Sequence, residues 1–242
     1  MSFKTTANMR YPLLDVVRGV AVLAMMAYHF GFDLNMNGYL AQDINNSMAW
    51  LTARSFILGT FLFVSGFSLA LATTSPTNKR LTRIARIAIC AALVSLGTYF
   101  MFPQSWVFFG VLHFVAVASL ICWPLQTRPQ LLLPLGFVVL ALGLGYTSPV
   151  FDQPMQQWIG MMTHKPITED YVPLFPWLGV VLLGLFAGNK AITKGWMSRL
   201  ASTTQPAPNN PIGWLGRHSL VVYMLHQPLL LGLLLAYGAM FK

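Results

Sequence analysis

The sequence carries few charges, and very few of them are acidic. Charged residues make up 9% of the 242 residues, with 15 Lys and Arg against 6 Asp and Glu. An ordinary soluble domain has about 25% charged residues. So few charges could not cover the surface of a soluble two-domain enzyme, and this class of protein is excluded. Since 56% of the residues are hydrophobic, an intrinsically disordered chain is excluded as well.

Cysteine is also scarce, and no His/Cys cluster has the spacing of metal ligands. The two cysteines, Cys90 and Cys122, lie in apolar runs and are expected to be buried free thiols. The sequence therefore predicts no metal site. The net charge of +9 does not predict a nucleic-acid partner, because the basic residues fall in short segments between apolar runs, where membrane topology requires them.

Long apolar runs dominate what remains. A run of about 20 residues can cross a hydrocarbon core of about 30 Å, so the sequence predicts an all-α, polytopic membrane helical bundle that forms a single domain over 1–242. Seven spans are expected, at 12–33, 49–73, 84–102, 106–124, 130–147, 173–188 and 218–240. The polar stretch 202–211 is predicted to be a loop.

The basic residues predict the orientation of the chain. They fall in alternate connecting segments, and the positive-inside rule places those segments in the cytoplasm. The N-terminus is therefore expected inside and the C-terminus outside. Three of these residues are expected to precede the third span, with a fourth at its start: Lys79, Arg80, Arg83 and Arg86.

The first apolar run contains four ionisable residues, which are costly in a bilayer and therefore point to function. They are Asp15, Arg18, His29 and Asp33. At about 100° per residue, Arg18 and His29 share a helix face about 16 Å apart along the axis, and His29 can touch Asp33 at i,i+4. A ligand with an anionic head and a long thin arm, such as coenzyme A, fits these two levels, because guanidinium binds phosphate and imidazole accepts a proton. Equally open is a structural interpretation, in which Asp15 pairs with Arg18 and His29 bonds a neighbour.

Later runs contain further polar candidates. Tyr223 and His226 share one face of the last run, and this face can line the same cavity as His29. His113 lies about midway along the fourth run, and Ser65 lies beside a glycine in the second. Each histidine can instead bond a backbone carbonyl or hydroxyl inside the bundle, and Ser65 can belong to a close-packing small pair.

Several segments resemble a known family when they are taken in order. Residues 14–21 (LDVVRGVA), followed by His29, resemble the signature of the membrane acyltransferase superfamily that acetylates cell-surface glycans. Residues 61–68 (FLFVSGFS) are similar to its second-helix motif. Residues 170–179 (DYVPLFPWLG) and 215–228 (LGRHSLVVYMLHQP) resemble one branch, the bacterial relatives of heparan-alpha-glucosaminide N-acetyltransferase.

This resemblance implies transfer of an acetyl or other acyl group from cytoplasmic acyl-CoA to a sugar hydroxyl or amine, at or across the membrane. It implies functional roles for Arg18 and His29, and it matches Arg80, Arg83 and Arg86 to the basic start of the third helix. Our hypothesis is that His29 with Asp33 is catalytic and that the four arginines bind the acyl-CoA. The substrate or cavity residues are then Asp15, Ser65, His113, Tyr223 and His226.

A transporter or channel for a small solute, with the polar stripe of the first run as its pathway, is the alternative interpretation. The expected partners are the lipid bilayer, acyl-CoA and a sugar or glycan acceptor, and the sequence leaves a homo-oligomer open. The expected location is the bacterial inner (plasma) membrane.

Overall fold

The computed structural model describes residues 11–197 and 210–241, and over these ranges the chain is helical with no strand. Eight α-helices occur in these ranges, together with two short 3-10 turns at Pro149–Asp152 and Gln157–Ile159. The helices are α1 (Pro12–Met36), α2 (Met48–Leu71), α3 (Thr77–Met101), α4 (Val111–Leu125), α5 (Pro129–Gly145), α6 (Leu174–Thr193), α7 (Pro211–Arg217) and α8 (Ser219–Phe241). The all-α prediction is confirmed.

Five of these helices are long and apolar enough to cross a membrane, namely α1, α2, α3, α6 and α8. The two others that the sequence predicted as spans, α4 and α5, are apolar but have only 15 and 17 residues. Large apolar side chains on α3 are exposed, including Ile89, Leu93 and Phe100. A membrane helix needs such a surface where it faces lipid, so the chain is an integral membrane protein.

Two helix boundaries differ from the prediction for physical reasons. α3 begins at Thr77, directly after Pro76, so the basic residues that were expected to precede it form its first turns. Lys and Arg are good helix formers, but they are not apolar. A prediction from hydropathy alone therefore places the start of this helix too late in the sequence. The predicted loop 202–211 lies mostly outside the described residues, but its last residue, Pro211, starts α7.

The contacts divide the chain into two units, and each is described by itself. The first, here the helix-4 unit, is Leu62–Met197. The second, here the helix-1 unit, comprises the described residues 11–61 and 210–241. The prediction of one domain over 1–242 stays a prediction.

In the helix-4 unit, α4 is the most buried helix, and Phe114 in its first turn is fully inaccessible. α6 packs closely on the second half of α2 through glycines. A Cβ added at Gly66 would clash with the carbonyl oxygen of Val181, and one at Gly184 would clash with that of Phe63. Small residues allow this approach, which is how membrane helices gain packing energy without a hydrophobic driving force.

In the helix-1 unit, α1 packs on both α7 and α8. α7 begins after Asn210, whose side-chain Oδ1 accepts hydrogen bonds from the amides of Ile212 and Gly213 and so caps the helix. α1 also meets the first half of α2 at Gly31. The indole of Trp50 occupies the space that a side chain at this position would need.

Candidate active site

Arg18 lies near the start of α1 and bonds two groups of its own unit. Its Nη1 donates to Oδ1 of Asp15 at 3.1 Å and to the carbonyl oxygen of Gly216 in α7 at 3.3 Å. The two side chains of this ion pair are 22% and 16% exposed. The ion pair that the structural interpretation required is therefore present, and a second helix contributes to it.

Two glycines make this meeting of α1 and α7 possible. A Cβ at Gly216 would clash with the carbonyl oxygen of Asp15, and a Cβ at Gly19 would clash with the carbonyl oxygen of Ile212. The backbones are therefore in direct contact on the side of α1 next to Arg18. This contact brings the Gly216 carbonyl within reach of the guanidinium.

Farther along α1, His29 meets the last helix. Its ring lies edge to face with the ring of His226 in α8, with centroids 5.1 Å apart and an interplanar angle of 60°. The ring of Tyr223 lies 5.5 Å from that of His226. The predicted spacing on the last run therefore places three of the candidate side chains in one cluster.

The tautomer of His226 follows from its contact with the backbone. Its Nδ1 lies 2.6 Å from the carbonyl oxygen of Tyr223. A carbonyl only accepts, so Nδ1 carries the proton and donates it. In the neutral ring the lone pair is then on Nε2. His226 is only 5% exposed, so a base of fixed orientation lies beside His29.

Asp33 is almost fully buried, at 2% exposure, one turn after His29 on α1. Its Oδ1 accepts a hydrogen bond from Nε2 of Gln227 at 2.8 Å. Sequence reasoning missed Gln227. The signal was present, since an amide in the middle of an apolar span is costly and requires a polar partner.

Aromatic side chains lie beside this cluster in the same unit. Tyr28 packs on His29 with ring centroids 6.1 Å apart and on Trp50 of α2 at 5.4 Å. Nε1 of Trp50 donates to Oε1 of Gln42 in the connection between α1 and α2. The region around His29 therefore contains aromatic rings from α1, α2 and α8.

The structure places the other candidates in the helix-4 unit. Among them, His113 forms hydrogen bonds at the start of α4. Its Nδ1 accepts from the amide of Gly110 at 3.2 Å, so its Nε2 carries the proton and donates to Oγ of Ser95 at 3.1 Å. The Ser95 hydroxyl in turn donates to the Val107 carbonyl. Both ring nitrogens are thus used in fixing the start of α4, to which Asp170 adds a bond from the amide of Val111.

The arginines of α3 differ from one another. The guanidinium of Arg80 lies 4.3 Å from the ring centre of Trp123 and donates to Oε1 of Gln126. Gln126, 6% exposed, also donates to the carbonyl of Leu69. Arg80 therefore ties α3, α4 and α2 together, which sequence reasoning missed along with Gln126.

Arg83 and Arg86 are exposed on α3. Ser65 is half-buried on α2 next to Gly66, whose close contact with α6 is that of a packing glycine. The predictions that Arg80, Arg83 and Arg86 contact acyl-CoA, and that Ser65 and His113 contact substrate or line its cavity, stay predictions.

The segment between α5 and α6 is ordered by its own polar groups. Asp152 accepts from the amide and hydroxyl of Thr163 and lies 3.7 Å from His164. These contacts lower the pKa of the Asp152 carboxyl. The hydrogen bond from the Thr163 hydroxyl is the largest cause, and the Thr163 amide and the nearby His164 add to it. The hydroxyl of Tyr171 donates to the Gln157 carbonyl at 2.6 Å, and burial raises its pKa.

Residues 105–110 and 168–172 of the helix-4 unit are joined by backbone bonds. The amide of Glu169 donates to the carbonyl of Ser105, and that of Val172 donates to the carbonyl of Phe109. This holds the segment before α6 against the start of α4. Among the described residues, no group of three His, Cys, Asp or Glu is arranged to hold a metal ion.

Comparison with known proteins gives one finding. No curated protein and no solved structure matches the sequence. The family of heparan-alpha-glucosaminide N-acetyltransferase catalytic domains matches residues 10–228, which include α1 to α7 and the polar cluster of α8. The resemblance seen in the motifs is thereby confirmed. With its apolar helices, the chain belongs to this family of membrane acetyltransferases.

Proposed function

We propose that the protein transfers an acetyl group from acetyl-CoA, or another acyl group from its CoA thioester, to a sugar hydroxyl or amine. The family match supports transferase chemistry. The observation that carries the proposal is the meeting of His29 and His226, with ring centroids 5.1 Å apart between two apolar helices. Ionisable groups inside apolar membrane helices are costly and therefore point to function.

His29 is the proposed general base. It removes the proton from the acceptor hydroxyl or amine as the acceptor oxygen or nitrogen attacks the thioester carbonyl carbon. The carbon–sulfur bond then breaks, and the imidazolium returns its proton to the leaving thiolate. The products are the acylated sugar and CoA thiol. The second route is a covalent relay, in which His29 first takes the acyl group.

His226 and Asp33 position the base in this proposal. The lone pair on Nε2 of His226 lies in the ring that packs against His29. Asp33 bonds Gln227, the next residue of α8. This bond fixes the register of α8 against α1, which a preorganised site needs because small misplacements cost large factors in rate.

Arg18 is the proposed phosphate contact of the acyl-CoA. A guanidinium has five donors in a fixed fork, so it can bind phosphate while it holds Asp15 and the Gly216 carbonyl. Arg83 and Arg86 are proposed as further phosphate contacts of the same donor. We infer that the donor enters from the cytoplasm, that the N-terminus is cytoplasmic, and that the bacterial inner membrane is the location.

The test is acetyl transfer by the purified full chain in lipid nanodiscs. The probes are radiolabelled acetyl-CoA with glucosamine as amine acceptor and methyl glucoside as hydroxyl acceptor. His29→Ala is expected to lower transfer by about 10²- to 10⁴-fold, the usual contribution of a general base. The matched control is His164→Ala, which removes an exposed histidine of the α5–α6 segment and leaves transfer unchanged.

Wild-type activity in His29→Ala contradicts the assignment of His29. In the absence of acceptor, radiolabel that is covalently attached to the wild-type protein and absent from His29→Ala supports the covalent relay. Solute flux through the protein in vesicles without any acetyl transfer by the wild type favours the transporter alternative instead.

A further inference from the structure

An exposed aromatic pair lies at the end of α7. The rings of Trp214 and His218 are stacked, with centroids 4.4 Å apart and planes 30° from parallel. Trp214 is 50% exposed, and His218 is exposed as well. Nδ1 of His218 donates to the carbonyl oxygen of Trp214 at 2.9 Å, which fixes the imidazole over the indole.

The helix that carries this pair, α7, is held closely against α1. Trp214 lies between Ile212 and Gly216, the two points where α7 is in backbone contact with α1. The carbonyl of Gly216 accepts from Arg18 itself. Trp214 is two residues, about 200° of helix turn, from each of these contacts, so its ring lies on the face of α7 turned away from α1.

The charge around the pair is positive. Arg217, the residue between Gly216 and His218, is exposed. Among residues 11–197 and 210–241, it forms no ion pair with an acidic side chain. Arg217 follows Trp214 by three residues and therefore lies on the same side of α7 as the rings.

An exposed aromatic ring beside arginines is suited to a nucleotide. A purine stacks on an aromatic side chain with little regard to hydrogen bonding, and arginine binds phosphate with two parallel donors. We propose that the Trp214–His218 pair is the platform on which the adenine ring of the acyl-CoA stacks, with Arg217 beside it binding the phosphates of the nucleotide. This inference rests on the proposed function and names the end of the donor opposite to the thioester.

The platform predicts a selective defect that a structural or lipid-anchoring tryptophan would not give. The probes are acetyl-CoA and S-acetyl-4′-phosphopantetheine, which carries the same thioester arm without the nucleotide. Trp214→Ala is expected to weaken binding of acetyl-CoA to the full chain in nanodiscs about tenfold. Binding of the truncated donor is expected to stay unchanged, and Trp214→Phe is expected to restore most of the affinity for acetyl-CoA.

The matched control is Trp196→Ala, because Trp196 follows α6 and is 49% exposed, nearly the same as Trp214. It is expected to bind both donors as the wild type does. A second probe, adenosine 3′,5′-bisphosphate, is expected to compete with acetyl-CoA in the wild type and about tenfold less well in Trp214→Ala.

Two results overturn the inference. One is equal binding of acetyl-CoA by the wild type and Trp214→Ala. The other is equal weakening of both donors together with a loss that depends on anionic lipid, which assigns Trp214 to the lipid headgroups. If the wild type binds neither donor, the proposed function fails with it; if the wild type binds both and Trp214→Ala shows no selective defect, only the platform fails.

Discussion

Gln227 of α8 donates a hydrogen bond from Nε2 to Oδ1 of Asp33 of α1 over 2.8 Å. The carboxyl is 2% exposed, so the bond lies away from water. The residue before Gln227, His226, packs with its ring against His29. The polar stripe of α1 is thus completed by a helix far away in the sequence.

Removal of this bond is expected to loosen the helix-1 unit. Gln227→Leu removes the donor to Asp33, and interhelical hydrogen bonds in membranes contribute about 0.6–1.7 kcal/mol. We expect a lower unfolding temperature in detergent and a larger loss of acetyl transfer than of folded protein. A variant with wild-type transfer would show that Asp33 does not need Gln227.

The contact between α1 and α7 depends on Gly216. Gly216→Ala places a methyl group against the Asp15 carbonyl and is expected to cost about 1–3 kcal/mol through overpacking. Gly232→Ala is the matched control on α8, since nothing lies within 4 Å of an added Cβ there. The control should keep or raise the unfolding temperature, and equal effects of the two changes would rule out the close contact.

Substitution of Arg80 and of Arg86 is expected to have different effects, because Arg80 contacts other helices and Arg86 is proposed to contact the ligand. Arg80→Ala removes the contacts with Trp123 and Gln126 and is expected to lower the unfolding free energy by about 1 kcal/mol. Arg86→Ala is expected to leave it within about 0.5 kcal/mol, as for an exposed side chain. If Arg86 contacts phosphate, KM for acetyl-CoA rises in that variant alone; an unchanged KM removes Arg86 from the site.

The Asp152 carboxyl gives the segment between α5 and α6 a pH dependence. Its pKa is lowered chiefly by the Thr163 hydroxyl, so its stabilising contribution is present above the unfolded-state pKa and is lost as pH falls through the lowered value. Thr163→Val is expected to raise the pKa of Asp152 towards its ordinary range. Carboxyl carbon NMR of labelled protein in micelles measures this, and an unchanged titration would contradict it.

Much of the fold could be predicted because the bilayer restricts it. Long apolar runs must become helices there, and the predicted run at 12–33 is the helix Pro12–Met36. The start of α3 at Thr77 could not be read from hydropathy, because its first turns are basic. α7 is too short and too polar in its surroundings to give a periodic signal.

The candidate site was predictable along one helix but not between helices. Periodicity placed Arg18 and His29 on one face of α1, and i,i+3 spacing allowed the Asp15 ion pair that the structure has. The partners Gln227 and the Gly216 carbonyl come from the other end of the chain. The spacing of residues along one helix does not predict contacts between distant helices. A contact with a backbone carbonyl cannot be predicted from residue type, because every residue has one.

His113 shows the opposite limit. A histidine midway in an apolar run was a reasonable candidate for a cavity, yet its two ring nitrogens bond Gly110 and Ser95. The helix is shorter than the apolar run, so this residue lies in its first turn rather than at its centre. The start of α4 at Val111 therefore determines which neighbouring groups the His113 ring can bond.

The partners of α1 also constrain how the chain assembles during synthesis. Arg18 and the Gly216 carbonyl are 198 residues apart, and Asp33 and Gln227 are 194 residues apart. α1 therefore leaves the ribosome long before the groups that satisfy its polar side chains exist. The nascent helix must be tolerated in the membrane with these contacts unmade, so α7 and α8, which are synthesised much later, complete the environment of α1.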